Sequence, residues 1–140
     1  EARDHLGRVD AVMMGRAAYD SPWVFSAADA LLSEYGYNEA PDDFGTTCDT
    51  RGEVIERMIP YFDYWFRHGT PGRKIARHML GLFAGMPGAK AWKQSLSGKL
   101  PDDCSPILRR MLSELPRESI NAPRESVPPE AAVPERKCVG

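Results

Sequence analysis

Cysteine is scarce in this chain, and its placement is unhelpful to any covalent or metal framework. Cys48, Cys104 and Cys138 are odd in number, widely spaced and without a CxxC pair, so neither a disulfide scaffold nor a zinc site is indicated. A reduced, cytoplasmic setting is the simplest reading. No apolar run approaches the ~20 residues of a membrane-spanning helix, which removes a helical membrane anchor, and no signal-peptide pattern opens the chain. There is no internal repeat. Histidine is also sparse: His5 and His68 lack neighbours that would make a metal site or a catalytic base, and no metal centre is expected. The chain opens on Glu1, and EARDHLGR reads as the end of a helix. An upstream portion is therefore expected.

Acid is missing where it matters most. The formal charge is only −2, which by itself argues against a nucleic-acid partner, but the average hides a segregation. Residues 1–50 carry three Arg and ten Asp/Glu. Residues 51–100 carry nine Lys/Arg against Glu53, Glu56 and Asp63, and the stretch from Arg67 to Lys99 holds seven Lys/Arg and no carboxylate. Like charges in such number repel one another, a cost that favours an anionic partner. A phosphate backbone is the commonest partner of that kind. A plainly solvated helix face is the competing explanation.

Of the 140 residues, 42% are hydrophobic and 9% aromatic, enough for a core. Val9, Ala11, Val12, Met13 and Met14 form a short apolar run that ends in Gly15-Arg16, the pattern of a buried strand running into a turn. A helix is expected from about Pro22, with Asp20 or Ser21 as cap and Trp23, Phe25, Ala27, Ala28, Leu31 and Leu32 as its apolar stripe. The polar stretch 36–50 reads as a linker. From Arg51, the residues Val54, Ile55, Met58, Ile59, Phe62, Trp65 and Phe66 recur at three- and four-residue steps, predicting a helix that Pro60 kinks and Gly69 ends. A second helix is expected from Pro71-Gly72 through RKIARHMLGLFAG, with Ile75, Ala76, Met79, Leu80, Leu82 and Phe83 inward. A third, PGAKAWKQSLSG, places Ala89, Trp92 and Leu96 inward, and a fourth covers DDCSPILRRMLSEL with Ile107, Leu108, Met111 and Leu115 inward. Short connections make a helical bundle the expected arrangement. Residues 116–140, rich in Pro, Glu, Arg and Ser, read as a disordered tail.

Two features carry chemistry. Strand, Gly-Arg, then helix is how a barrel of alternating strands and helices makes a phosphate site, with backbone N–H groups facing the anion. On that reading Gly15 and Arg16 hold a phosphate; otherwise they are a plain turn and a surface charge. The basic helices are the second feature, with Arg73, Lys74, Arg77, Lys90 and Lys93 on the side opposite the apolar stripes. His78, beside Arg77, either touches a phosphate or supports packing. Trp23, Trp65 and Trp92 read as core residues.

Three stretches in order, VDAVMMGRAAYDSPW, RGEVIERMIPYFDYW and KIARHMLGLFAGMPGAKAWKQSLS, resemble the C-terminal part of tRNA-dihydrouridine synthases. The likeness is to the bacterial subclass acting on D-loop uridines 20 and 20a, and it covers roughly Leu6 to Ser97. The resemblance implies an α/β TIM barrel that binds FMN, here only its last strand and helix (1–35), then a linker (36–50) and an all-α helical domain that grips tRNA (51–115), so that this chain is mostly α. It further implies an oxidoreductase that reduces the C5–C6 bond of uridine with hydride from NADPH passed through FMN. Gly15 and Arg16 would bind the FMN phosphate, and Arg73, Lys74, Arg77, Lys90 and Lys93 would meet tRNA backbone. The catalytic cysteine of the family would lie upstream of Glu1; none of the three cysteines matches it, so the fragment alone is expected to be inactive. A monomer without DNA or membrane partners is expected. The alternatives are a non-catalytic helical RNA-binding module, and another FMN- or phosphate-binding barrel oxidoreductase.

Overall fold

The computed structural model describes His5, Arg8, Val9 and residues 13–28 and 48–124. Among these residues, regular structure is helical apart from an isolated antiparallel bridge between Thr50 and Pro123. The strand expected over Val9–Met14 is not seen at Met13 and Met14; residues 10–12 lie outside the described set. A strand needs a neighbour to satisfy its backbone, and the described residues offer none. Met13, at 89% exposed, is far from the interior such a strand would occupy.

Helix α1 spans Arg16–Asp20 and so starts directly at Gly15, earlier than the sequence pattern suggested. The segment expected to be α-helical from Pro22 is instead a 3₁₀ turn, Pro22–Ala27. Pro22 does occupy its first position, but Ser21 makes no capping bond through its side chain. Leu31, Leu32 and most of the linker lie outside the described residues.

Helix α2, Arg51–Arg67, opens on a reciprocal cap. The Thr50 hydroxyl accepts from the Glu53 N–H at 3.2 Å, while the Glu53 carboxylate accepts from the Asp49 N–H at 2.9 Å. The first satisfies a donor that a helix start leaves orphaned, and the second ties the residue before the cap to the first turn of the helix. Ile55, Ile59 and Phe62 are buried, and the helix continues through an exposed Pro60. It stops at Gly69, whose φ of +80° suits glycine, with the Gly69 N–H donating to the Phe66 carbonyl. The expected inward placement of Trp65 and Phe66 is wrong, since both are exposed.

The second expected helix is much shorter. Helix α3 spans Arg73–Ala76, tightens into a 3₁₀ turn at Arg77–Met79 and then breaks into turns. Gly81 supplies a reason: a β-carbon there would lie 2.4 Å from the Asp20 carbonyl oxygen, so the backbone is pressed against α1. Ala76, Met79, Leu82 and Phe83 are nonetheless buried as their spacing predicts. Helix α4, Ala89–Ser95, follows Gly88 at φ +86° and buries Trp92, with Leu96 buried just beyond it. Trp92 donates its Nε1–H to the Met79 carbonyl at 2.7 Å and sets its ring 5.1 Å from that of Phe83. Helix α5, Ser105–Glu114, packs on α2 with Leu108 and Met111 inward.

The stretch from residue 116, expected to open a disordered tail, is ordered as far as residue 124. Helix α6, Arg117–Ile120, buries Ser119 and Ile120. Ser119 Oγ donates to the Pro87 carbonyl at 2.8 Å, and a β-carbon on Gly52 would come within 2.6 Å of Ile120 Cγ2. A single isoleucine and one hydroxyl anchor a segment that is otherwise polar, which an average over residues 116–140 cannot register. Residues 125–140 lie outside the described set.

Replacing Trp92 by Phe keeps most of the apolar volume but leaves the Met79 carbonyl without its buried donor. The expected cost is about 1–3 kcal/mol, read as a lower urea midpoint at unchanged m-value.

Candidate nucleic-acid interface

Gly15 and Arg16 are both exposed at the start of α1. A β-carbon on Gly15 would meet only Met13 Sδ, at 3.9 Å, so the space above this turn is open. Gly15 has φ −94° and ψ −94°, and its carbonyl accepts from the Ala18 N–H at 3.0 Å. The first N–H groups of a helix have no intrahelical acceptor, and the exposed Arg16 is the first residue of this one. The local chemistry thus fits a phosphate: open backbone donors with one adjacent cation.

This segment is fastened to the helices behind it through Arg51. Only 7% exposed, Arg51 donates Nε–H to the Leu82 carbonyl at 2.9 Å and lays its guanidinium carbon 4.4 Å from the centre of the Trp23 ring. Further ties are the Tyr19 ring, 5.5 Å from that of His78, and Arg124, whose Nη1 donates to the Ser26 carbonyl at 3.3 Å. Neither Arg51 nor Arg124 was picked out by sequence reasoning.

The five expected backbone-binding cations are all exposed. Arg73, Lys74 and Arg77 stand on α3 and its 3₁₀ extension, and Lys90 and Lys93 on α4. The two groups are joined underneath by the Trp92–Met79 hydrogen bond, because Trp92 lies between the two lysines and Met79 ends the turn that carries Arg77. They are not equivalent. Arg73 is paired with Asp102, an acid just beyond the acid-free stretch. Arg77 donates Nε–H to His78 Nε2 at 3.3 Å. Lys74, Lys90 and Lys93 form no ion pair among the described residues.

Cys104 is buried, its Sγ donating to the Pro101 carbonyl at 3.3 Å. Burial first, then the charges of Asp103 and Asp102, push its thiol above the ordinary value. A protonated buried thiol is a packing group and not a nucleophile. Among the described residues no three His, Cys, Asp or Glu side chains gather as a metal site, and no helix is long and apolar enough to cross a membrane.

A family model described as dihydrouridine synthase matches residues 1–103. The chain is similar to the tRNA-dihydrouridine(20/20a) synthase of Synechocystis, 42% identical over 97 residues, or 69% of this chain and 26% of that protein. It is 38% identical over 120 residues to the enzyme of that name from Vibrio parahaemolyticus, covering 84% of this chain and 34% of the relative. With the Escherichia coli K12 protein of that name it shares 39% identity over 100 residues, 69% of this chain and 26% of the other. The chain spans about a quarter to a third of the length of these curated relatives.

Arg51→Ala is expected to lower stability by about 2–4 kcal/mol, since it removes a charged-donor hydrogen bond and a cation–π contact together. Arg51→Lys should recover only part of this, because an ammonium cannot lie flat on Trp23 while reaching Leu82. A double-mutant cycle with Trp23→Ala, read by urea unfolding, should give a coupling of about 0.5–2 kcal/mol; additive effects would remove the contact from this account.

Proposed function

The chain belongs to the dihydrouridine synthase family, and from that premise we propose that it is the tRNA-gripping and cofactor-phosphate-holding part of a flavin-dependent tRNA-dihydrouridine synthase. Its substrate on this reading is tRNA, at D-loop uridines 20 and 20a, the positions that appear in the names of the relatives. The setting is cytoplasmic, and the protein acts as a monomer.

The observation that carries the reading is the exposed set Lys74, Arg77, Lys90 and Lys93, mounted on two short helical segments and locked together from beneath by Trp92. Such a surface attracts phosphates by charge, with little dependence on base identity, which suits a folded RNA recognised by shape. Arg73 joins only when it releases Asp102, so its contribution is smaller. Gly15 and Arg16 hold the terminal phosphate of FMN with helix-start N–H groups and a guanidinium. When bound, FMN supplies the hydride chemistry that reduces the C5–C6 bond of uridine, with NADPH as the reductant. The protein's own share is placement. Arg51 holds the 3₁₀ turn at Trp23 and Gly81 lets α1 press onto the helical unit, so the phosphate end of the cofactor and the RNA-facing cations keep a fixed relation.

The test is the salt dependence of tRNA binding by the purified chain. Replacing Arg77, Lys90 or Lys93 by Gln should each flatten the log–log slope by about 0.7–0.9, while Arg73→Gln changes it less. A slope unmoved by all of these removes the basic face from the reading. For the cofactor, the amide resonances of Gly15 and Arg16 should shift on adding millimolar FMN or inorganic phosphate but not riboflavin. Equal shifts with riboflavin would overturn the phosphate role.

A further inference from the structure

The outward face of α2 is the least expected surface of the molecule. Ile55, Ile59 and Phe62 fix which side of the helix meets the core. At about 100° per residue, the opposite side carries Arg57, Tyr61, Tyr64 and, at the helix end, His68, with Trp65 on its flank. All five are exposed, Tyr64 by 52% and Trp65 by 36%. Three aromatic rings in succession on a solvated face cost free energy unless something covers them.

The rings brace one another. Tyr64 stacks on His68 with centroids 4.1 Å apart and planes 28° from parallel, and His68 Nδ1 is 2.7 Å from the Tyr64 carbonyl oxygen. Trp65 stands edge-on to Tyr64 at 5.4 Å and to Tyr61 at 6.1 Å. Mutual support of this kind limits rotamer freedom before any partner arrives, so less ordering is needed on binding.

We propose that this stripe is a stacking platform for unpaired RNA bases, placed on the same helical unit as the basic segment; the proposal rests on the reading that the unit binds tRNA. Two observations select RNA over a protein partner. Every outward side chain of the stripe is planar, with no Leu, Ile or Val among them, and planar groups suit nucleobases whatever their identity. The charge is also complementary to a polyanion. Arg67 lies exposed beside the end of the stripe, while Asp63 pairs with Arg109 at 3.2 Å and Glu56 lines the groove between α2 and α5. Backbone held by cations and bases held on rings is the usual division in single-strand recognition.

The experiment compares binding of the intact chain to two RNAs with equal numbers of phosphates, a hairpin with an unpaired loop and a blunt duplex. Tyr64→Ala with Trp65→Ala should weaken hairpin binding by about fivefold or more while leaving duplex affinity and the salt slope unchanged. Tyr64→Phe with Trp65→Phe should restore hairpin binding. Lys90→Gln with Lys93→Gln should weaken both RNAs. Wild-type hairpin affinity in the alanine variant, with the lysine variant still impaired, overturns the platform and leaves the tRNA reading standing. Failure of the wild-type chain to bind either RNA overturns both. A self-association lost in the alanine variant would assign the face to a second copy of the chain and overturn the proposal as well. Because these side chains are exposed, thermal melts of all variants should match wild type, and a lower melt in the alanine variant would be answered by the Phe pair.

Discussion

A guanidinium buried at the first turn of α2 is the contact on which the arrangement of this molecule depends. A positive charge at a helix N-terminus opposes the helix dipole, and burial adds a desolvation cost, so both act against Arg51 where it lies. Its position is explained by what it reaches. One side of the guanidinium faces Trp23 from the N-terminal segment, and its Nε–H meets a carbonyl of the turn that follows α3. Three pieces of chain distant in sequence thereby meet at one side chain. Gly81 completes the junction by leaving room for the Asp20 backbone.

Around that junction the surface divides by chemistry. One set of cations projects from α3, its 3₁₀ extension and α4, above a core that ends in Trp92, and a separate aromatic stripe lies along the outward side of α2. The ion pairs formed by the described residues are mostly exposed pairs such as Arg73 with Asp102 and Arg110 with Glu114, each worth about 0–1 kcal/mol. They leave the interior to hold the fold and the surface charges to find partners. The relatives are named tRNA-dihydrouridine(20/20a) synthases, and a surface divided between cations and exposed rings is chemically compatible with a polyanion that also presents bases.

Much of the core was readable from spacing. Ile55, Ile59, Phe62, Ala76, Met79, Leu82, Phe83, Trp92, Leu96, Leu108, Met111 and Leu115 are buried as their periodicity requires. Periodicity served even where the helix failed, because the turns after Met79 still deliver Leu82 and Phe83 inward. What misled was width. A stripe that takes in Trp65 and Phe66 with Ile55 and Ile59 covers more of the helix than a core can touch, and hydrophobicity cannot say which edge is wet. The Gly15-Arg16 turn was legible as a break in the chain, although the helix begins at Arg16 and not near Pro22, and the exposed cations were legible from their phase. Arg51 was not, because a buried arginine gives no sequence signal until its partners are known. The order at Ser119 and Ile120 was hidden for a similar reason, being owed to Gly52 and Pro87 far along the chain.

The bridge between Thr50 and Pro123 has a topological consequence. With the Arg124 N–H donating to the Asp49 carbonyl at 2.9 Å and the Arg124 side chain 3.3 Å from the Asp49 carboxylate, the backbone leaves the helical unit at the doorway through which it entered. The unit is a closed excursion of the chain, tied at its neck. Arg124 also reaches the Ser26 carbonyl, so the same residue that closes the neck touches the N-terminal segment. Opening the neck at Asp49 would therefore loosen the helical unit and the N-terminal segment together.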